Sequence, residues 1–193
     1  MLNILKKLHY VKTKLGKIEL FFPKKNFAKI IFSDHGYSTF KLSSAESLVH
    51  TQAFVREVLR VSPVVPVVIH STLQDFKWRQ FHIQKRTQFG ANIVALHHST
   101  AWQDASKFDI TRWLGDNRSV IHEGTYAPFG FGPRSCVAEK HLFNLLTGIL
   151  GVLLYHNNFE KTAALPEPTE GTFGLANMPP KFSLKATPST KRS

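Results

Sequence analysis

The residue of this 193-residue chain best suited to chemistry is its single cysteine, Cys136. A lone cysteine cannot form an internal disulfide, so a chemical role has to be weighed against a packing role. The segment before it, Phe129-Gly130-Phe131-Gly132-Pro133-Arg134-Ser135, contains the glycines and proline that favour a compact loop. Apolar residues then recur at helical spacing from Val137 to Val152, which predicts a helix that begins close to Cys136.

The residues alone support two interpretations of Cys136. Free amide groups at a helix N-terminus, with Arg134 nearby, favour a thiolate and hence a reactive or ligating sulfur. Equally, lone cysteines commonly pack as small buried apolar residues. A zinc site is disfavoured because no second cysteine exists, and a dinucleotide loop is disfavoured because Gly130-x-Gly132 lacks the third small residue.

The composition is that of a basic globular protein. Hydrophobic residues make up 42% of the chain and aromatic residues 12%, enough for one packed core. The net charge of +12 suits an anionic membrane surface, an acidic protein or a nucleic acid as partner. Because no nucleic-acid recognition motif accompanies the charge, nucleic acid is not predicted. The lack of paired cysteines fits a reducing, intracellular location.

Residues 1–42 form a basic segment that we leave unassigned. Leu2, Leu5 and Leu8 recur at helical spacing among lysines, which indicates an amphipathic helix. Such a helix could lie on a membrane or act as a targeting segment, but a surface helix over the core is favoured. No transmembrane helix or secretory signal peptide is predicted, and the most apolar stretch, Leu142 to Tyr155, is expected to be a buried helix.

The remaining pattern predicts a mixed α+β fold that is mainly helical, with small β-sheets. A helix from about Leu48 is expected to follow a capping box at Ser43 and Glu46 and to end before Pro63 and Pro66. The other expected elements are short strands between residues 64 and 100, including Val64-Val65 and Asn92 to Leu96; a loop at Asn157-Asn158; a closing hairpin of Thr172 to Ala176 with Lys181 to Ala186, turning at Pro179-Pro180; and a solvated tail at 187–193.

The cysteine loop resembles a known signature. The residues Phe129-x-x-Gly132-x-Arg134-x-Cys136, preceded by Tyr126-Ala127-Pro128, resemble the haem-binding motif of the cytochrome P-450 family. The chain departs from that motif at Ala138, where most members have glycine.

Other segments resemble the same family in the same order. Glu57-x-x-Arg60, which taken alone would be an ordinary surface ion pair, is similar to the family's Glu-x-x-Arg helix. The segment from Trp102 to Trp113 is similar to the family's Phe-x-Pro-Glu-Arg-Phe sequence and keeps Arg112. His70 falls where the family has an arginine or histidine that binds a haem propionate. Departures are Gln84 and Arg86, where proline and glycine are usual, and Ile110 and Thr111, where proline and glutamate are usual.

The resemblance implies that residues 43–186 are the carboxyl-terminal, haem-proximal portion of the P-450 fold. It implies a haem-thiolate monooxygenase that inserts one atom of O2 into a small apolar organic substrate. The implied cofactor is haem b, with electrons from NADPH delivered by a redox partner. The implied residues are Cys136 as axial iron ligand; Arg134, His70, Phe129, Gly132 and Ala138 around the cofactor; Glu57, Arg60 and Arg112 as a buried network; and Val64, Val65, Thr172 and Phe173 as substrate contacts.

The resemblance also implies a partner surface and a location. Arg134, Lys140 and His141 flank Cys136 and would face an acidic reductase or ferredoxin. Association with the endoplasmic reticulum or mitochondrial membrane is expected from the family.

No Gly-x-Asp/Glu-Thr sequence of the family's distal helix precedes Ser43, so a partial or truncated member is expected. The alternatives are a non-catalytic haem-binding or scaffold protein, and a basic protein that binds acidic partners or membranes through residues 1–30.

Overall fold

The computed structural model describes residues 48–115, 124–162 and 172–189. Residues 1–42 and the capping box at Ser43 and Glu46 lie outside this part of the chain. The elements in chain order are α1 (Val49–Val61), β1 (Val67–Ser71), β2 (Phe76–Trp78), β3 (Phe81–Ile83), β4 (Gln88–Asn92), α2 (Ile93–His97), α3 (Glu139–His156), β5 (Asn157–Lys161), β6 (Thr172–Phe173), β7 (Asn177–Met178) and β8 (Leu184–Pro188). The described residues contain both helices and small antiparallel sheets, which agrees with the prediction of a mixed α+β fold.

Helix α1 is the central element of the fold. Its buried face contains Ala53, Val55 and Leu59 and also two charged residues, Glu57 and Arg60. The helix ends at Val61, where the Ser62 N–H donates to the Val58 carbonyl at 2.8 Å, and Pro63 cannot continue the helical hydrogen bonding. The predicted helix and its end are therefore confirmed.

The chain then forms two nested hairpins. Strand β1 pairs with β4, with His70 opposite Phe89, and β2 pairs with β3 between them in the sequence. Val64 and Val65 form a bend before β1, so the prediction of a strand there was wrong. Arg86 adopts φ +65°, the left-handed conformation that glycine favours, next to a turn in which Thr72 Oγ1 donates to the Gln84 carbonyl at 2.6 Å.

The predicted strand from Asn92 to Leu96 was wrong, because β4 ends at Asn92 and helix α2 begins at Ile93. The Asn92 side chain accepts a hydrogen bond from the Ala95 N–H at 2.9 Å, which caps the helix N-terminus. Ile93 is fully buried. The cap and the burial outweigh the strand preference of Ile93 and Val94.

Helix α3 follows the cysteine loop, but its buried face differs from the predicted one. The buried residues are Thr147, Gly148 and Gly151, and these small side chains let α1 approach closely. The apolar residues expected to be buried are 37–50% exposed within the described residues; they are Leu142, Leu145, Leu146, Ile149, Val152 and Leu153. The prediction of a buried helix was therefore wrong for most of its leucine-rich surface.

The carboxyl-terminal strands pair differently from the predicted hairpin. Strand β8 pairs with β5, which contains the Asn157-Asn158 segment predicted as a loop. Strand β6 pairs with β7 across a short turn at residues 174–176. Pro179-Pro180 supplies no N–H for a ladder and separates the two sheets. Thr187 and Pro188, expected to begin the tail, belong to β8.

The contact between α1 and α3 can be tested at Gly151, where a Cβ atom would lie 3.1 Å from Leu48 Cδ1. Gly151→Leu should lower the free energy of unfolding by about 1–3 kcal/mol, because overpacking forces the two helices apart. Urea unfolding followed by circular dichroism would measure this. His141→Leu, at an exposed position of the same helix, is the control. Equal stability of the two variants would contradict the packing.

Candidate functional site

Glu57 and Arg60 form a bidentate ion pair inside the protein. Arg60 Nε donates to Glu57 Oε2 at 2.9 Å, and Arg60 Nη2 donates to Glu57 Oε1 at 2.8 Å. Both side chains are fully buried. The pair therefore has no access to solvent and is not the surface ion pair that the spacing alone would suggest.

The guanidinium of Arg60 also binds the backbone of the segment after α2. Arg60 Nη1 donates to the carbonyls of His97 at 3.0 Å and Ala105 at 2.7 Å, and Nη2 donates to the carbonyl of Lys107 at 3.0 Å. With the two bonds to Glu57, every N–H of the guanidinium has a partner. Arg60 thus fastens residues 97–107 to α1.

The carboxylate of Glu57 holds the next part of the same segment. Its Oε1 accepts from the Asp109 N–H at 2.8 Å, and its Oε2 accepts from Trp113 Nε1 at 2.9 Å. Arg112 Nε lies 3.5 Å from Glu57 Oε1, and Arg112 Nη1 donates to the Gln103 carbonyl at 2.5 Å. The structure therefore brings together the three predicted network residues.

His97 is part of this network, although the sequence analysis did not identify it as a functional residue. Its fully buried ring has Nδ1 at 3.2 Å from the Arg60 carbonyl, and its Nε2 accepts from the Ala127 N–H at 2.9 Å. Burial lowers the pKa of His97 from 6.5 to about 4, so the ring is neutral at pH 7. Within the described ranges, no group of three or more His, Cys, Asp or Glu residues is arranged so that it could hold a metal ion.

Aromatic packing holds the segment that leads into the cysteine loop. The Tyr126 ring stacks on His97 at 5.3 Å between centroids and meets the Trp113 ring edge-on at 4.6 Å. Tyr126 Oη donates to the Arg56 carbonyl at 3.2 Å. Burial raises the pKa of Tyr126 above its usual value, so its hydroxyl stays a donor.

The cysteine loop closes on itself through backbone hydrogen bonds. The Cys136 N–H donates to the Phe129 carbonyl at 2.9 Å, and the Gly130 N–H donates to the Ala127 carbonyl at 3.1 Å. Gly130 and Gly132 have φ of +80° and +69°, a conformation that other residues rarely adopt. Cys136 is half-buried and lies just before α3, which begins after Ala138.

His70 lies beside the cysteine loop. Its ring stacks with Phe89 at 5.8 Å between centroids, and it lies tilted against Phe131 of the loop at 5.7 Å between centroids. Its Nε2 atom is buried and has no hydrogen-bond partner among the residues that the structure describes. The β1–β4 hairpin thus places an unpartnered imidazole nitrogen at the loop.

The other predicted residues lie around this core. Arg134 is exposed in a 3₁₀ turn, Gly132–Arg134, within the loop. Val64 is exposed and Val65 is half-buried at the bend after α1, while Thr172 and Phe173 form β6. The Asn177 N–H donates to the Val64 carbonyl at 2.6 Å, which brings the β6–β7 sheet beside this bend.

A cavity of about 390 Å³ lies between α1, the cysteine loop and the start of α3. Its lining combines aromatic rings with charged groups: Arg56, Tyr126, Phe129, Val137, Glu139, Lys140 and Phe143. The Arg56 guanidinium lies 4.5 Å from the centre of the Phe143 ring. Lys140, predicted to face a partner, is therefore at the rim of a concave surface next to the loop.

No helix in residues 48–115, 124–162 and 172–189 is both long and apolar enough to span a membrane.

Comparison with known proteins identifies relatives of this chain. A family model described as Cytochrome P450 matches residues 27–186, so the match begins upstream of residue 43. The chain is 35% identical over 156 residues to a steroid 17-alpha-hydroxylase/17,20 lyase from Oryzias latipes, covering 77% of this chain and 30% of that protein. It is 34% identical over 142 residues to a farnesoate epoxidase from Bombyx mori, covering 71% of this chain and 28% of that protein.

Glu57→Gln tests the buried ion pair. The substitution should lower the free energy of unfolding by about 3–5 kcal/mol, because it leaves the buried Arg60 charge without a counter-charge. Urea unfolding followed by tryptophan fluorescence would measure the change. Glu160→Gln removes a carboxylate from an exposed position of β5 and should change stability by less than about 0.5 kcal/mol. Equal effects of the two substitutions would refute the assignment.

The buried, neutral His97 predicts a specific pH dependence of stability. Its pKa is about 4 when folded and 6.5 for an ordinary histidine, so between these values the unfolded chain binds a proton that the folded chain does not. The free energy of unfolding should therefore fall as the pH is lowered from 6.5 to 4, by at most about 1.4 kcal/mol per pH unit from this group. His97→Gln removes this titration and should flatten the dependence. Urea unfolding at several pH values would show it, and identical slopes would contradict it.

Proposed function

Because this chain belongs to the cytochrome P450 family, we propose that it forms the thiolate side of a haem site, with Cys136 as the axial ligand of the iron. The observation that carries the proposal is the closed cysteine loop. The Cys136 N–H bond to the Phe129 carbonyl at 2.9 Å fixes the backbone of the sulfur-bearing residue. A half-buried cysteine on a fixed backbone can present its sulfur in one direction, as an axial ligand requires.

The residues around the loop fit a haem. The buried Nε2 of His70 has no partner in the part of the chain that the structure describes, and a buried polar atom of this kind normally has one. A haem propionate would supply an acceptor beside Phe131. Arg134 is exposed on the same loop and could bind a carboxylate through two parallel hydrogen bonds. His70 and Arg134 would therefore hold the propionates, and Phe129, Gly132 and Ala138 would lie along the haem edge and proximal face.

Bound haem supplies the activation of O2 for monooxygenation, and the chain's own residues prepare the site for it. Cys136 is the residue that would supply a thiolate ligand to the iron. The backbone hydrogen bond from the Cys136 N–H to the Phe129 carbonyl holds the sulfur-bearing residue in place. Glu57, Arg60 and Arg112 do not contact the cofactor in this proposal. They fix the backbone of residues 97–113, the segment that precedes the cysteine loop in the chain.

We propose the activity of a monooxygenase that inserts one oxygen atom into a small apolar organic substrate, with haem b as cofactor. In support, the relatives are named as a steroid hydroxylase/lyase and a farnesoate epoxidase. The chain spans less than a third of either relative, so the activity belongs to a protein in which the site is complete. Val64, Val65, Thr172 and Phe173 are proposed substrate contacts, supported by the hydrogen bond that joins Val64 to Asn177.

The proposed source of electrons is NADPH, through an acidic redox partner that docks near Arg134, Lys140 and His141. All three side chains are exposed at the loop and the first turn of α3, and opposite charges speed such an encounter. An association with a cellular membrane is proposed from the family alone.

The test of the proposed function is the ligation of haem iron by Cys136. The chain reconstituted with haem should give, after reduction and addition of carbon monoxide, the long-wavelength absorption band of thiolate ligation. Cys136→Ser should abolish this band, because a serine hydroxyl does not replace a thiolate as donor. Ser135→Ala alters the neighbouring residue without touching the sulfur and is the matched control. Retention of the band in Cys136→Ser would overturn the proposal.

A further inference from the structure

We infer that His97 is a positioning residue of the cysteine loop: its ring joins the backbone carbonyl of Arg60 to the backbone N–H of Ala127 and so fixes where the loop leaves the protein core. The importance of the loop rests on the proposed function, whereas the positioning itself is a property of the chain without haem. Its ring is fully buried, so solvent cannot substitute for either contact.

The two partners determine the protonation of the ring. The Ala127 N–H can only donate, so Nε2, at 2.9 Å, must carry the lone pair. The Arg60 carbonyl can only accept, so Nδ1, at 3.2 Å, must carry the hydrogen. The neutral Nδ1–H tautomer satisfies both contacts at once. No other single protonation state of imidazole does so, which makes the ring a directional connector between α1 and the loop.

The contact point on the loop side explains why the connector matters for Cys136. The Ala127 N–H donates to His97 Nε2, and the Ala127 carbonyl accepts from the Gly130 N–H at 3.1 Å. Gly130 has a positive φ and ends the turn of residues 127–130, and Phe129, one residue earlier, accepts from the Cys136 N–H. A displacement of Ala127 would therefore disturb its hydrogen bond with Gly130. It would also shift the neighbouring Phe129 carbonyl, which holds the backbone of Cys136.

The neighbouring histidine shows that this connection is specific to position 97. His98 Nδ1 lies 2.9 Å from the Val94 carbonyl, within the turn of α2 that precedes it. That bond stays inside one helix and does not reach the loop. His97 and His98 therefore provide a matched pair: adjacent imidazoles, of which one binds the loop and the other does not.

Three variants of the 193-residue chain, without haem, test the inference. His97→Phe keeps an aromatic ring against Tyr126 but removes both hydrogen bonds; His97→Gln can restore a donor and an acceptor; His98→Phe is the control. The measurement is the rate at which iodoacetamide alkylates Cys136 under native conditions. We expect Cys136 in His97→Phe to react about tenfold faster than in wild type, because the loss of the two His97 hydrogen bonds lets the loop open locally more often. His97→Gln should recover part of the protection, and His98→Phe should react like wild type.

Hydrogen exchange and nitrogen NMR provide readouts that general destabilisation would not reproduce. In the wild-type chain the Ala127 amide should be protected, and the ¹⁵N shifts of His97 should be those of the neutral Nδ1–H tautomer. Wild-type alkylation rates in His97→Phe, or equal acceleration in His97→Phe and His98→Phe, would overturn the inference. If His97→Phe does not fold, the wild-type measurements decide. A protected Ala127 amide together with the Nδ1–H tautomer of His97 would support the inference, and an unprotected amide or the opposite tautomer would overturn it. None of these outcomes depends on haem, so they are separable from the result for Cys136→Ser.

Discussion

The described part of this protein is organised by the buried ion pair between Glu57 and Arg60. Removing two charges from water costs several kcal/mol per ion, and attraction between them offsets this only when the remaining donors and acceptors are also satisfied. Here the carboxylate also accepts from the Asp109 amide and the Trp113 indole, and the guanidinium also donates to three backbone carbonyls. The pair is stable in the interior because these hydrogen bonds satisfy its remaining donors and acceptors. The same bonds fix the backbone of the segments around it.

The strands contribute less to this organisation than their number suggests. Each of the described sheets has two strands, and an isolated two-stranded sheet is marginally stable in water. Backbone hydrogen bonds connect the sheets to the rest of the described residues. The Ile93 N–H donates to the Pro66 carbonyl at 2.9 Å, and the Asn177 N–H donates to the Val64 carbonyl at 2.6 Å. The β1–β4 and β6–β7 sheets are therefore positioned by the segments that adjoin helix α1, and the β5–β8 sheet by the end of α3.

The sequence predicts the local features of the site better than the long-range ones. The glycine positions of the cysteine loop, the end of α1 before Pro63 and the start of a helix after Cys136 follow from backbone preferences, which act within a few residues. The family resemblance grouped Glu57, Arg60 and Arg112, although their spacing alone does not show that they are buried together. His97 could not be identified in this way, because a buried neutral histidine has no sequence signature apart from its neighbours in space.

The incorrect predictions have a common physical origin. The leucines of α3 have helical periodicity, but periodicity does not reveal which face the other described elements cover, and Gly151 packs against Leu48 instead. The pairing of β8 with β5 joins segments more than twenty residues apart, beyond the reach of turn rules. At Asn92 a side-chain cap decided between helix and strand where the apolar pattern was ambiguous.

The use of backbone carbonyls by the two arginines has a consequence for evolution. Arg60 and Arg112 bind carbonyl oxygens of residues 97, 103, 104, 105 and 107, and every amino acid supplies that oxygen. The exposed side chains of this segment, at residues 103, 104, 106 and 107, can therefore diverge while the path of the backbone is maintained. The side chains of His97 and Trp102 are buried and have contacts of their own. Ile110 and Thr111 replace the proline and glutamate usual in the family, yet Trp113 still reaches Glu57. Mutational tolerance should accordingly be high at those exposed positions and low at the arginines and the buried side chains.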